Sequence, residues 1–75
     1  MRGDLDRKAT REEATERALG LLRGRGKPSL IGEVAVAIGA LWTLEETEAL
    51  LEQLVHEQLA RRVEDEKLVR YEGAK

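Results

Sequence analysis

Residues 43–60, Thr43-Leu44-Glu45-Glu46-Thr47-Glu48-Ala49-Leu50-Leu51-Glu52-Gln53-Leu54-Val55-His56-Glu57-Gln58-Leu59-Ala60, read as one capped amphipathic helix. The Thr43 hydroxyl can accept from the N–H three residues on, while Glu46 reaches back to the Thr43 N–H, which is a capping box. Leu50, Leu51, Leu54, Val55 and Leu59 then recur at helical spacing. A helix to Ala60 would be about 25 Å long.

Upstream, Thr10-Arg11-Glu12-Glu13 forms a second capping box, and Ala14, Ala18, Leu21 and Leu22 continue it as an apolar stripe. Arg23-Gly24-Arg25-Gly26 should end that first helix, because cations suit its negative end and glycine accepts a left-handed cap. Pro28-Ser29 opens the next element, in which Ile31, Val34, Ala35 and Ile38 share one helical face and Gly39 is the stop. Ala40-Leu41-Trp42 is then a short corner. Downstream the period changes. Arg61-Arg62-Val63-Glu64 and Lys67-Leu68-Val69-Arg70-Tyr71 read as two strands around Asp65-Glu66, a β-hairpin in which Val63 opposes Leu68 or Val69. A glutamate at the second turn position disfavours a type I′ turn, so a loop of three or four residues is expected.

The predicted fold is thus mainly α with a small β-hairpin: helices over 10–23, 30–38 and 43–60, then a hairpin over 61–71. A flexible N-terminal tail (1–9) and a C-terminal tail (73–75) flank the 10–72 domain. The predicted core is Ala18, Leu21, Leu22, Ile31, Val34, Ala35, Ile38, Leu50, Leu51, Leu54, Val55, Leu59 and Val63.

The run Leu30-Ile31-Gly32-Glu33-Val34-Ala35-Val36-Ala37-Ile38-Gly39, then Thr43-Leu44-Glu45-Glu46-Thr47, Leu50-Leu51-Glu52-Gln53-Leu54-Val55 and Leu59-Ala60-Arg61-Arg62-Val63, resembles the winged helix-turn-helix superfamily. The resemblance covers residues 10–72 and implies a winged helix of three helices plus a two-stranded wing. The chain departs from that pattern in its longer, Trp-bearing corner and in Thr47, where a branched apolar residue usually packs.

Such domains commonly lay the third helix in the DNA major groove, and the charges here oppose that use. Positions 30–57 hold six acids (Glu33, Glu45, Glu46, Glu48, Glu52 and Glu57) and no Lys or Arg. Duplex DNA carries one negative charge per ~1.7 Å of axis, so this segment meets repulsion without a compensating phosphate contact. Trp42 is read in two ways, as a core side chain beneath the corner or as an interface anchor beside Glu45, Glu48 and Glu52. These four residues form the candidate site for a protein partner, either another protein or a second copy forming a homodimer. The alternative is DNA binding through the wing residues Arg61, Arg62, Lys67 and Arg70, with Arg23, Arg25 and Lys27 as a second phosphate contact. Arg23-Gly24-Arg25-Gly26-Lys27-Pro28 is similar to an AT-hook, but Leu22 and Gly26 stand where prolines flank that motif. The run reads as a helix-capping loop.

Other chemistry finds little support. Cysteine is absent, and the lone His56 has only Glu52 one turn away, short of a metal set. Ser29 is the only serine and no histidine lies near it in sequence. No catalytic residue, cofactor, metal or small-molecule substrate is expected, and the chain reads as non-enzymatic. The longest uncharged run, Val34 to Leu44, is eleven residues, too short to span a bilayer. With no apolar run at Met1-Arg2-Gly3-Asp4-Leu5-Asp6, no signal peptide is expected either. The reading is a soluble cytoplasmic domain, an accessory of transcription or DNA-handling machinery or a transcriptional regulator. Nine arginines among 13 basic residues, with no Asn, give it a thermophile-like composition.

Overall fold

The computed structural model describes residues 8–39, 41–66 and 68–74. Three helices and three short strands follow in the order α1 (Arg11–Arg25), β1 (Ser29–Leu30), α2 (Ile31–Ile38), α3 (Leu44–His56), β2 (Ala60–Asp65) and β3 (Leu68–Gly73). The strands form one antiparallel sheet in the order β1-β3-β2. The sequence-based hairpin is therefore two-thirds of the sheet. The missed strand, β1, is only Ser29 and Leu30, paired with Tyr71 and Arg70.

Both capping boxes form. Thr10 Oγ1 accepts from the Glu13 N–H (3.1 Å) and Thr43 Oγ1 from the Glu46 N–H (3.0 Å), with each glutamate reaching back. α2 has no hydroxyl cap, and the Glu33 carboxylate takes the Leu30 N–H instead (2.9 Å). α1 ends on Gly26 at φ 71, the left-handed cap expected of the 23–27 run, although the helix lasts to Arg25 rather than Arg23. The Arg17 guanidinium donates to the Ile38 carbonyl (2.7 Å), so a cation from α1 closes the negative end of α2.

α3 stops at His56, four residues before the predicted end. Gln58 takes φ 65, its N–H donates to the Val55 carbonyl (3.0 Å), and the Leu59 N–H donates to Leu54 (2.8 Å). These paired bonds close the helix as a Schellman motif built without glycine. Leu59 packs against the core just beyond it.

The core gathers Ala14, Ala18 and Leu22 of α1, Val34, Ala35 and Ile38 of α2, Leu50, Leu51 and Leu54 of α3, and Ala60 and Tyr71 of the sheet. Five residues of the expected core, Leu21, Ile31, Val55, Leu59 and Val63, are half-buried at its margin. Thr47 is wholly buried where an apolar residue was expected, because its hydroxyl is satisfied by the Thr43 carbonyl (2.8 Å). Gly73 lies so close to α1 that a Cβ there would come within 3.1 Å of Arg23 Cγ.

The wing differs from its expected geometry. Val63 opposes Arg70, not Leu68 or Val69, and the ladder runs on to Asp65 and Leu68, leaving two residues between the strands instead of three or four. Glu66 at φ 53 supplies the left-handed conformation that so short a connection needs. Ala9 is buried, Gly73 ends β3, and the Ala74 N–H donates to the Leu59 carbonyl (3.1 Å). Positions 1–7, 40, 67 and 75 lie outside the described residues.

Leu54→Ala should cost about 2–5 kcal/mol in denaturant unfolding, because Leu54 is 1% exposed amid the helix contacts. Gln58→Gly should raise stability by about 0.5–1 kcal/mol, since it relieves a left-handed residue that carries a Cβ. A melting temperature lowered in that variant would contradict the helix end described above.

Candidate functional site

The residues singled out in the sequence separate into an acidic corner and a basic end. In the corner, Trp42 is half-buried and its indole N–H donates to the Ala9 carbonyl (2.9 Å). The Lys8 ammonium lies 5.4 Å from the ring centroid and pairs with Glu46. That pairing and the Thr43 N–H hold the Glu46 carboxyl below the ordinary range. Trp42 thus clasps the chain ahead of α1 onto the corner. The large apolar side chains that do face solvent are others: Val36 (81% exposed) on α2, Leu41 (49%) in the corner, Leu44 (61%) at the start of α3 and Leu68 (47%) on β3. Val36 lies off the apolar stripe of its helix, which was the available signal for its exposure.

Glu45 and Glu48 are exposed on α3, as the helical spacing implied. Glu52 is not a free member of that face. It accepts the phenolic hydrogen bond of Tyr71, and Arg62 Nη1 lies 3.5 Å from the same carboxylate oxygen. Tyr71 is completely buried in β3, and burial first, then the Glu52 hydrogen bond, pushes its pKa far above the ordinary tyrosine value. Glu52 therefore ties α3 to the sheet, while its side chain stays 42% exposed.

At the basic end, the pairing of β1 with β3 draws the 23–27 turn up to the wing. Arg23, Lys27 and Arg61 line one groove of about 420 Å³ with Glu72 and Gly73. Arg25, Lys27 and Arg70 line another of about 580 Å³ with Glu33 and Glu64. The sequence placed the turn and the wing in one alternative site without showing that they touch. Neither groove is purely cationic. Arg61 pairs with Glu72 (3.0 Å), Arg25 with Glu33 (3.1 Å) and Arg62 with Glu64 (3.2 Å). The Leu30 N–H, and then Arg25, hold the Glu33 carboxyl low, so it stays charged. Lys67, the remaining member of the basic set, lies outside the described residues.

Ser29 is fully buried and its hydroxyl has no hydrogen-bond partner, and His56 is exposed at the end of α3. Among the described residues no three His, Asp or Glu side chains gather to hold a metal ion. No helix is long and apolar enough to cross a membrane. No family model, curated protein or solved structure matches the chain.

The Tyr71–Glu52 bond makes a titration test. A tyrosine pKa raised on folding contributes stability below the unfolded value near 10 and loses it as pH climbs beyond. Stability should therefore fall above about pH 10. Tyr71→Phe should flatten that limb and cost about 1–2 kcal/mol at neutral pH, for one hydrogen bond to a half-exposed carboxylate. Melting temperatures between neutral pH and about pH 11 measure both effects.

Proposed function

We propose that the chain is a non-enzymatic winged-helix module of the cytoplasm that binds a protein partner through the α2–α3 corner, as an accessory of transcription or DNA-handling machinery. What supports the winged-helix reading is the order of three helices, a tight corner between α2 and α3, and a closing two-stranded hairpin on a small sheet. The observation that carries the function is the exposure of Val36, Leu41 and Leu44 within the segment that holds no cation. Exposed apolar side chains with Glu45 and Glu48 alongside suit a partner with an apolar centre and a basic rim.

DNA docking through the wing is the weaker reading. Arg25, Arg61 and Arg62 are each held by a carboxylate of the same chain. A phosphate would have to displace those carboxylates, which lessens the gain from counterion release.

The two readings separate in one pair of titrations on isotope-labelled protein. A basic amphipathic peptide, with Leu and Lys at helical spacing, should shift the amide signals of residues 36–48. Added salt should weaken that binding, and the triple variant Leu44→Ser, Glu45→Lys, Glu48→Lys should abolish it. A short duplex at low salt should bind no tighter than ~100 µM, the weak end of non-specific binding. Micromolar duplex binding that shifts residues 23–27 and 61–70, with no response to the peptide, would replace the protein-partner reading by the DNA one.

A further inference from the structure

The sheet has one long open edge. β3 lies between its neighbours, β1 offers only two residues, and β2 runs from Ala60 to Asp65 with β3 on one side and no strand on the other among the described residues. The direction in which each β2 backbone group points follows from the ladder. Leu59 and Ala74 stand one step beyond the Ala60–Gly73 pair and are joined by a hydrogen bond. In an antiparallel ladder, bonded pairs alternate with non-bonded ones. The bonded pairs are then Arg61–Glu72, Val63–Arg70 and Asp65–Leu68. The N–H and C=O groups of Ala60, Arg62 and Glu64 consequently point outward, away from β3.

Charges on an edge strand ordinarily keep other strands away. The order Arg61-Arg62-Val63-Glu64-Asp65 does the opposite for one partner, because read backwards it is its own electrostatic complement. We infer that two copies of the chain pair through β2, antiparallel about a two-fold axis at Val63, and join their sheets into one of six strands.

The register follows from the outward groups. A two-fold pairing must set outward residues opposite outward residues, and with its axis within residues 62–64 of the strand Arg62 can face Arg62, Glu64 can face Glu64, or Arg62 can face Glu64. The first two place like charges across the axis, which opposes pairing. The third sets Arg62 opposite Glu64 twice and Arg61 opposite Asp65 twice. It also brings Val63 against its own copy in a non-bonded pair, where side chains approach most closely. Arg62 and Glu64 already pair within one chain (3.2 Å), so at these two positions dimerisation exchanges an internal partner for an identical external one. The interface is isologous, as a closed dimer requires. It is also short, below the ~1,200 Å² of a standard interface, so the dimer is a transient one. This inference is independent of the α2–α3 corner.

Sedimentation velocity from ~10 µM to ~1 mM at low salt should show a monomer–dimer equilibrium that weakens as salt is added. Glu64→Arg should weaken it at least tenfold, and adding Arg62→Glu to that variant should restore it. Glu64→Pro removes an outward N–H that β3 does not use, so it should abolish the dimer with the far-ultraviolet circular dichroism unchanged. Amide exchange supplies a second readout. The Arg62 and Glu64 amides should gain protection with concentration, while those of Arg61 and Val63 should not change. A monomer throughout that range, or a dimer indifferent to both Glu64 variants, would overturn the inference. A dimer lost instead in Glu45→Lys/Glu48→Lys would also overturn it, because the contact would then lie on the corner.

Discussion

The fold depends on Tyr71. Its ring sits in the middle strand, opposite Ser29 of β1 on one side and Arg62 of β2 on the other, and its hydroxyl reaches Glu52 of α3. A chain of this size buries only about 60% of its unfolded surface, so one large wholly buried side chain is a major part of its apolar burial. A buried phenol needs a partner for its hydroxyl, and Glu52 supplies it from the rim of the core. The position of α3 over the sheet is therefore constrained by a hydrogen bond as well as by Leu50, Leu51 and Leu54. Ala14, Ala18, Ala35 and Ala60 make the complementary contribution: small side chains let the helices close around that ring.

What the sequence showed was what is local. Both Thr-Glu boxes act between residues three apart, and the stripes of α2 and α3 lie within single helices, so these were legible. The end of α3 was not, because Gln58 adopts a glycine-like conformation and nothing in its residue type announces that. β1 escaped notice because two residues carry no period, and its pairing with Tyr71 and Arg70 spans some forty positions. The wing register failed for a related reason. A tight connection at Glu66 is disfavoured by its own chemistry, but continuation of the ladder to Asp65 and Leu68 outweighs that local cost.

The candidate site was legible in the same uneven way. The absence of cations between positions 30 and 57 is a property of the chain and needed no coordinates. Helical spacing correctly aligned Glu45, Glu48 and Glu52, but it says nothing of which strand lies over the end of the row. Tyr71 and Arg62 engage Glu52 there. Trp42 illustrates the limit of residue type as a guide. A tryptophan beside a charged face fits either a core or an interface, and its residue type gave no sign of the Ala9 carbonyl to which the indole is bonded.

One electrostatic constraint links the two faces of the molecule. With few aromatics and many charges, the chain matches arginines of the basic end to its own carboxylates: Arg25 to Glu33, Arg61 to Glu72, and Arg62 to Glu52 and Glu64. Exposed pairs of this kind add little stability, since solvent screens them. Their larger effect is on the field, which they leave weak where a wing would meet phosphate. The corner has Glu45 and Glu48 in its place, with no Lys or Arg on its segment, so exposed acids lie in the same stretch of chain as the exposed Val36, Leu41 and Leu44. In the proposed reading, a surface of that composition would discriminate by charge before contact and retain a partner by apolar burial afterwards.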